Sequence, residues 1–83
     1  MIYNMYAIYD KRTGYMAPTG YQNHEVAKRA FALDINSAEM KLVQANPEDF
    51  QLEHIGHYNT ETGELKEHKA EIICTAIEVL RKE

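Results

Sequence analysis

Tryptophan is absent from this 83-residue chain, cysteine occurs once, proline twice and glycine four times. The single cysteine, Cys74, cannot close an internal disulfide, so the fold has to stand on packing, as expected in a reducing cytosol. With so little proline and glycine and no low-complexity tract, the chain is not a linker or a disordered segment. Its hydrophobic content of 45 % and charged content of 27 % are those of an ordinary globular protein. No apolar run approaches the roughly 20 residues that span a bilayer, and no basic segment leads into an apolar one near the start. Neither a membrane span nor a signal peptide is expected. Positive charge is also lacking. The formal net charge is −4, which argues against a general nucleic-acid coat but leaves room for a local basic patch.

A chain of this length forms one domain, here residues 1–83, and buries only roughly 60–65 % of its unfolded surface. Cores this thin often gain stability from a partner subunit.

What is present begins with a repeated phrase. Tyr9-Asp10-Lys11-Arg12-Thr13-Gly14 and Tyr58-Asn59-Thr60-Glu61-Thr62-Gly63 each read as a strand end, Asp or Asn, two free positions, then Thr-Gly. Both suit hairpin loops, with a Gly at positive φ and an Asx side chain bonding the loop's amides. Ile2 to Tyr9 has strand composition and no clearly polar phase, so it is expected to be central or covered on both sides. The first loop should hold Lys11 to Gly14, pairing Tyr9 with Met16 and Ile8 with Ala17. Pro18 should end the returning strand or place it at an edge.

Asn23 is a good N-cap, and Glu25 suits the positive helix end. Val26, Ala27, Ala30, Phe31 and Leu33 then predict an amphipathic helix over about His24 to Asp34, ended by Asn36-Ser37. Ala38 to Gln44 favours a short helix over a loop, broken at Asn46-Pro47. Phe50 to Tyr58 predicts a strand with Gly56 at a bulge or close backbone approach. The second loop should return into a short strand at Glu64 to Lys66, with Tyr58 opposite Leu65. Ile72, Ile73, Ala76, Ile77 and Leu80 predict a final helix from about His68 to Arg81. The expected fold is therefore α+β: a ββα-ββα order, with an antiparallel sheet of two hairpins and helices packed on it.

Several residues invite a chemical role, each beside a plainer account. Lys11 and Arg12 sit at a loop tip between Tyr9 and Tyr15, and Lys28 and Arg29 on the first helix extend the cluster. Cations for phosphates and tyrosines for base stacking would suit single-stranded nucleic acid. The plainer account is solvated charges and tyrosines filling a thin core. His54 and His57 form an H-x-x-H pair, with His24 and His68 elsewhere. Three apart on a strand, they should point to opposite faces, and a metal site would need a bulge at Gly56 plus distant ligands. Two ordinary histidines and no metal are expected. Cys74 reads as a small buried hydrophobe rather than a nucleophile. Glu48 and Asp49 after Pro47 read as turn or cap residues. No phosphate-cradling loop or nucleophile motif occurs, so neither an enzyme nor a cofactor is expected.

Met5-Tyr6-Ala7-Ile8-Tyr9-Asp10-Lys11, Ala17-Pro18, Asn46-Pro47-Glu48-Asp49-Phe50, Leu52, Ile55-Gly56, Tyr58 and Thr62-Gly63 succeed one another in an order and spacing that resembles the small nonstructural protein of gokushovirus-type microviruses. These are single-stranded DNA phages of the Microviridae. The match covers residues 5–66 and departs at Asn59, where an acidic residue is common, and in the C-terminal segment. The resemblance implies a DNA-binding role in viral DNA replication, at the switch to single-stranded genome synthesis, in the host bacterial cytoplasm. It carries no mapped residues.

Two functions are compatible with these residues. The first is a non-enzymatic phage accessory protein that binds single-stranded DNA or a phage or host replication protein. The second is a homodimeric protein–protein adaptor that touches no nucleic acid, suggested by the acidic balance and by a first strand with two apolar faces. A homodimer and no membrane contact are expected in either case.

Overall fold

The first strand, β1 (Ile2–Asp10), lies in the interior of a five-stranded antiparallel sheet, as its lack of a polar phase requires. A computed structural model describes residues 1–81. Along one edge of β1 run two short pieces, β2 (Gly14–Tyr15) and β3 (Thr19–Tyr21). They are two pieces of one returning segment. The ladder is interrupted over residues 16–18, where Pro18 has no amide to donate, and the register against β1 slips by one residue across the gap. Along the other edge runs β4 (Phe50–Asn59), which in turn pairs with β5 (Leu65–Thr75), giving the order β2-β1-β4-β5.

The first loop is one residue tighter than its sequence suggests. Asp10 faces Gly14 and Tyr9 faces Tyr15, not Met16. Gly14 takes φ 114°, a conformation that L side chains rarely adopt, and so begins the return strand itself. The second loop closes as expected, with Tyr58 opposite Leu65 and Gly63 at φ 77°.

Helix α1 (His24–Ile35) starts at Asn23, whose side chain accepts from the Val26 amide at 2.9 Å. It buries Ala27, Phe31 and Ile35, a spacing of four, while Val26 and Leu33 face solvent. Helix α2 (Lys41–Ala45) and a 3-10 turn (Pro47–Asp49) fill the stretch that reads ambiguously in the sequence. The inner face of α1 meets Tyr6, Phe50, Leu52 and Cys74 from the sheet, with Val43 and Ala76 completing the core. Each large side chain there contributes about 1.5–3 kcal/mol by burial. Asn36 ties the helix end to the C-terminal segment: its Nδ2 donates to Val79 O at 3.1 Å and its Oδ1 accepts from the Arg81 amide at 2.8 Å.

The largest departure is at the C-terminal end. Residues 68–75 are strand, not helix, and helix α3 is confined to Ala76–Val79. The apparent helical face is not buried as one stripe, since Ile72 and Ile77 are exposed. Ile72, Ile73 and Thr75 are β-branched and favour extended backbone, and β4 offers an edge whose amides need a partner. Glu53 pairs with Ile72 and Leu52 with Cys74. Thr75 then caps α3 in a capping box with Glu78. The order is therefore βββααββα, and the second half does not repeat a ββα unit. The α+β class and the antiparallel sheet with helices on it stand.

Candidate functional site

The sheet has two unlike faces. Directly opposed residues share a face, and neighbours along a strand alternate. Tyr6, Ile8, Leu52 and Cys74 lie under the helices. Tyr9, Tyr15, Gln51 and Glu53 lie on the other face. Tyr9 and Tyr15 set their rings 4.6 Å apart at 40°. The Tyr15 hydroxyl donates to Glu53 Oε1 at 2.6 Å, and Gln51 Nε2 donates to Glu53 Oε2 at 2.6 Å. The Glu53 carboxylate, itself buried, is thus held on both oxygens. The Tyr15–Glu53 bond pushes the Tyr15 phenol up to about 12.

Lys11 and Arg12 project from the loop at the end of this face and are exposed. Arg12 Nε pairs with Asp49 Oδ2 at 3.0 Å, and the Lys11 amide donates to Asp49 O at 2.9 Å. Four of the six residues singled out as a nucleic-acid surface, Tyr9, Lys11, Arg12 and Tyr15, therefore come together in one hairpin. Lys28 and Arg29 do not join them. They ride on α1, across the sheet, where Lys28 lies 3.9 Å from Glu25.

A second constellation sits under the N-terminus of α1. Between Met5 and Tyr6 the β1–β4 register shifts: Tyr6 faces His54 but Met5 faces Gly56, leaving Ile55 as an extra residue. The bulge resets the alternation, so His54 and His57 share the helix-side face instead of pointing apart. Opposite the same point β5 also slips, with His54 facing Glu71 and Gly56 facing Glu67. The surplus residues of β5 carry His68 in beside them. Ring centroids lie 5.1 Å apart for His54–His57, 4.2 Å for His54–His68 and 5.2 Å for His57–His68.

His24, the first residue of α1, closes the group from above. Its ring centroid is 5.0 Å from that of His54. Its Nδ1 shares a 2.5 Å hydrogen bond with the Tyr6 hydroxyl, and its Nε2 lies 3.7 Å from Glu71 Oε1. All four histidines of the chain thus meet in one place. Burial holds the His54 imidazole below its ordinary range, and the charges of His68, His24 and His57 add to this against Glu71. The signal in the sequence was Gly56 inside the H-x-x-H pair. A side chain at Gly56 would collide with the Lys66 carbonyl.

The model of the family described as Phage ORF5 protein matches residues 3–79. The chain belongs to this family. A member of the Phage ORF5 protein family is a phage protein, in keeping with the phage resemblance of the strand and turn motifs. No curated protein and no solved structure matches it. Among the described residues of this family member, no helix is long and apolar enough to cross a membrane. Cys74 is buried against the core, and burial pushes its thiol up to about 11, which disfavours the thiolate a nucleophile needs.

Proposed function

We propose that this phage protein is a non-enzymatic accessory factor of viral DNA synthesis, acting in the host bacterial cytoplasm, and that it binds single-stranded DNA on its open sheet face. The observation that carries the reading is the Tyr9–Tyr15 ring pair on a face without helices, beside the exposed Lys11 and Arg12. Bases stack on such rings in any sequence, and the loop cations meet the phosphates. The acidic balance of the chain fits a local contact rather than a coat.

Fluorescence anisotropy of a labelled oligonucleotide, single-stranded and duplex, at two salt concentrations tests this. Salt-sensitive binding that prefers the single strand is expected. Tyr15→Ala should weaken it by about tenfold, the loss of one stacking platform. Tyr15→Phe, which keeps the ring, should not. Lys11→Glu with Arg12→Glu should lower the salt dependence by about one to two phosphate contacts. No binding at low salt sinks the proposal.

A homodimeric adaptor is the second reading. It is favoured by Tyr58, Leu65 and Ile72, which are exposed near the open face and its free β5 edge. Light scattering that finds a monomer over a wide concentration range would remove it.

A further inference from the structure

The bulge at Ile55-Gly56 brings three imidazoles to one point from two strands. One ring nitrogen from each of His54, His57 and His68 can be chosen so that all three lie within 4.8 Å of one another. The shortest pair is His54 Nε2 to His68 Nε2, at 3.4 Å. Two ligand nitrogens on a tetrahedral zinc ion, each at about 2.0–2.1 Å from the metal, stand about 3.3–3.4 Å apart. An octahedral site at similar bond lengths would draw them to about 3.0 Å. The distance is long for an N–H···N hydrogen bond between the two rings.

The tautomer points the same way. His68 Nδ1 lies 2.8 Å from the Lys69 carbonyl oxygen, which can only accept. Nδ1 therefore carries the proton, and the lone pair of a neutral His68 is on Nε2, toward His54. A ligand histidine whose second nitrogen donates to a backbone carbonyl is the usual arrangement at a metal. Beside the three rings, His24 is already engaged: it holds Tyr6 and lies against Glu71. Access is open. His57 is exposed, and a cleft lined by Tyr15, Ile55, Glu67, His68 and Ala70 reaches His68 from solvent.

We propose that His54, His57 and His68 form a binding site for a divalent transition-metal ion of the zinc class, tetrahedral, with a fourth position left for water. Three imidazoles with no thiolate suit zinc, cobalt or copper rather than calcium or magnesium. The rings of His54 and His57 lie on the helix-side face and Tyr9 and Tyr15 on the other, with Tyr15 lining the cleft that reaches His68. The metal proposal stands whether or not the protein binds DNA.

The test is calorimetric titration of the chelator-stripped full chain with zinc chloride, followed by cobalt(II) as a spectroscopic probe. One equivalent bound in the micromolar range or tighter is expected, with the intense visible absorption of tetrahedral cobalt. His57→Gln and His68→Gln should each weaken zinc by about tenfold or more. Both positions are away from the core, so far-UV circular dichroism should be unchanged. Magnesium should not compete. Absence of zinc binding by the wild type overturns the proposal. So does binding that survives both substitutions, or a weak octahedral cobalt spectrum. His57 is the more exposed of the two, so His57→Gln decides the matter if His68→Gln disturbs the strand.

Discussion

The two hairpins carry the same loop phrase, and their side chains use it alike. In the first, Asp10 accepts from the Arg12 amide at 2.9 Å and from the Thr13 hydroxyl at 2.9 Å. In the second, Asn59 accepts from the amides of Glu61 at 2.9 Å and Thr62 at 3.3 Å. Each loop is also tied to the start of the other hairpin. The Lys11 amide reaches Asp49 O just before β4, and the Thr60 amide and hydroxyl reach Met1 O just before β1, at 2.9 and 3.0 Å. Antiparallel pairing of β1 with β4 brings each loop beside the start of the other hairpin. Beyond the loops the likeness ends. The first return strand breaks after two residues, at Tyr15, and resumes only at Thr19 with its register slipped by one residue. The second runs for eleven, with two slips of register that β4 and β5 absorb. Local loop chemistry thus sets the turn, while the length and regularity of a return strand depend on the strand it meets.

The most severe way to break this contrast is at the irregular point of the second hairpin. Gly56→Ala places a methyl against the Lys66 carbonyl, a backbone atom that cannot swing away. A loss of about 3 kcal/mol is expected, a fall in Tm of about 12 °C or more for a domain this small. A scan within a few degrees of wild type would show that the bulge is not pinned there.

The loops themselves can be compared next. Asp10→Ala removes charge-assisted bonds from a buried carboxylate and should cost about 2 kcal/mol, whereas Asn59→Ala removes neutral, exposed bonds and should cost about 1 kcal/mol. Urea denaturation of the two variants measures both. Equal losses, or the reverse order, would mean that the loops are energetically alike despite their different settings.

The smallest effect is an alkaline one, confined to the first hairpin. The Tyr15–Glu53 bond raises the phenol from 10.0 to about 12. The bond's stabilisation is therefore complete below pH 10 and is lost as pH rises toward 12, because the unfolded chain gives up its proton first. Wild type and Tyr15→Phe should differ in stability below pH 10 and converge between pH 10 and about 12. A difference that stays constant through that window would remove the role given to this bond.

Much of the fold is legible in residues that act on near neighbours. Asn23 caps α1 because its side chain reaches an amide three residues on. Pro18, with no amide to donate, lies in the gap between β2 and β3. Gly14 and Gly63 tolerate positive φ wherever they are placed. The Tyr9, Lys11, Arg12 and Tyr15 surface belongs to this class, since one hairpin carries all four. Lys28 and Arg29 do not, because only the packing of Phe31 and Ala27 on Tyr6 decides which side of the sheet α1 covers.

Residues 68–75 show the limit most clearly. Isoleucines at positions 72, 73 and 77 satisfy a helical period, yet the free edge of β4 takes the same segment as a strand. Backbone hydrogen bonds to a waiting edge and β-branched side chains outweigh a weak helical pattern. The histidine cluster is a consequence of that outcome. Sequence alone determined that His54 and His57 flank a glycine. Only the paired slips of β1, β4 and β5 decided that they share a face and that His68 joins them, because a register is a property of two strands and never of one.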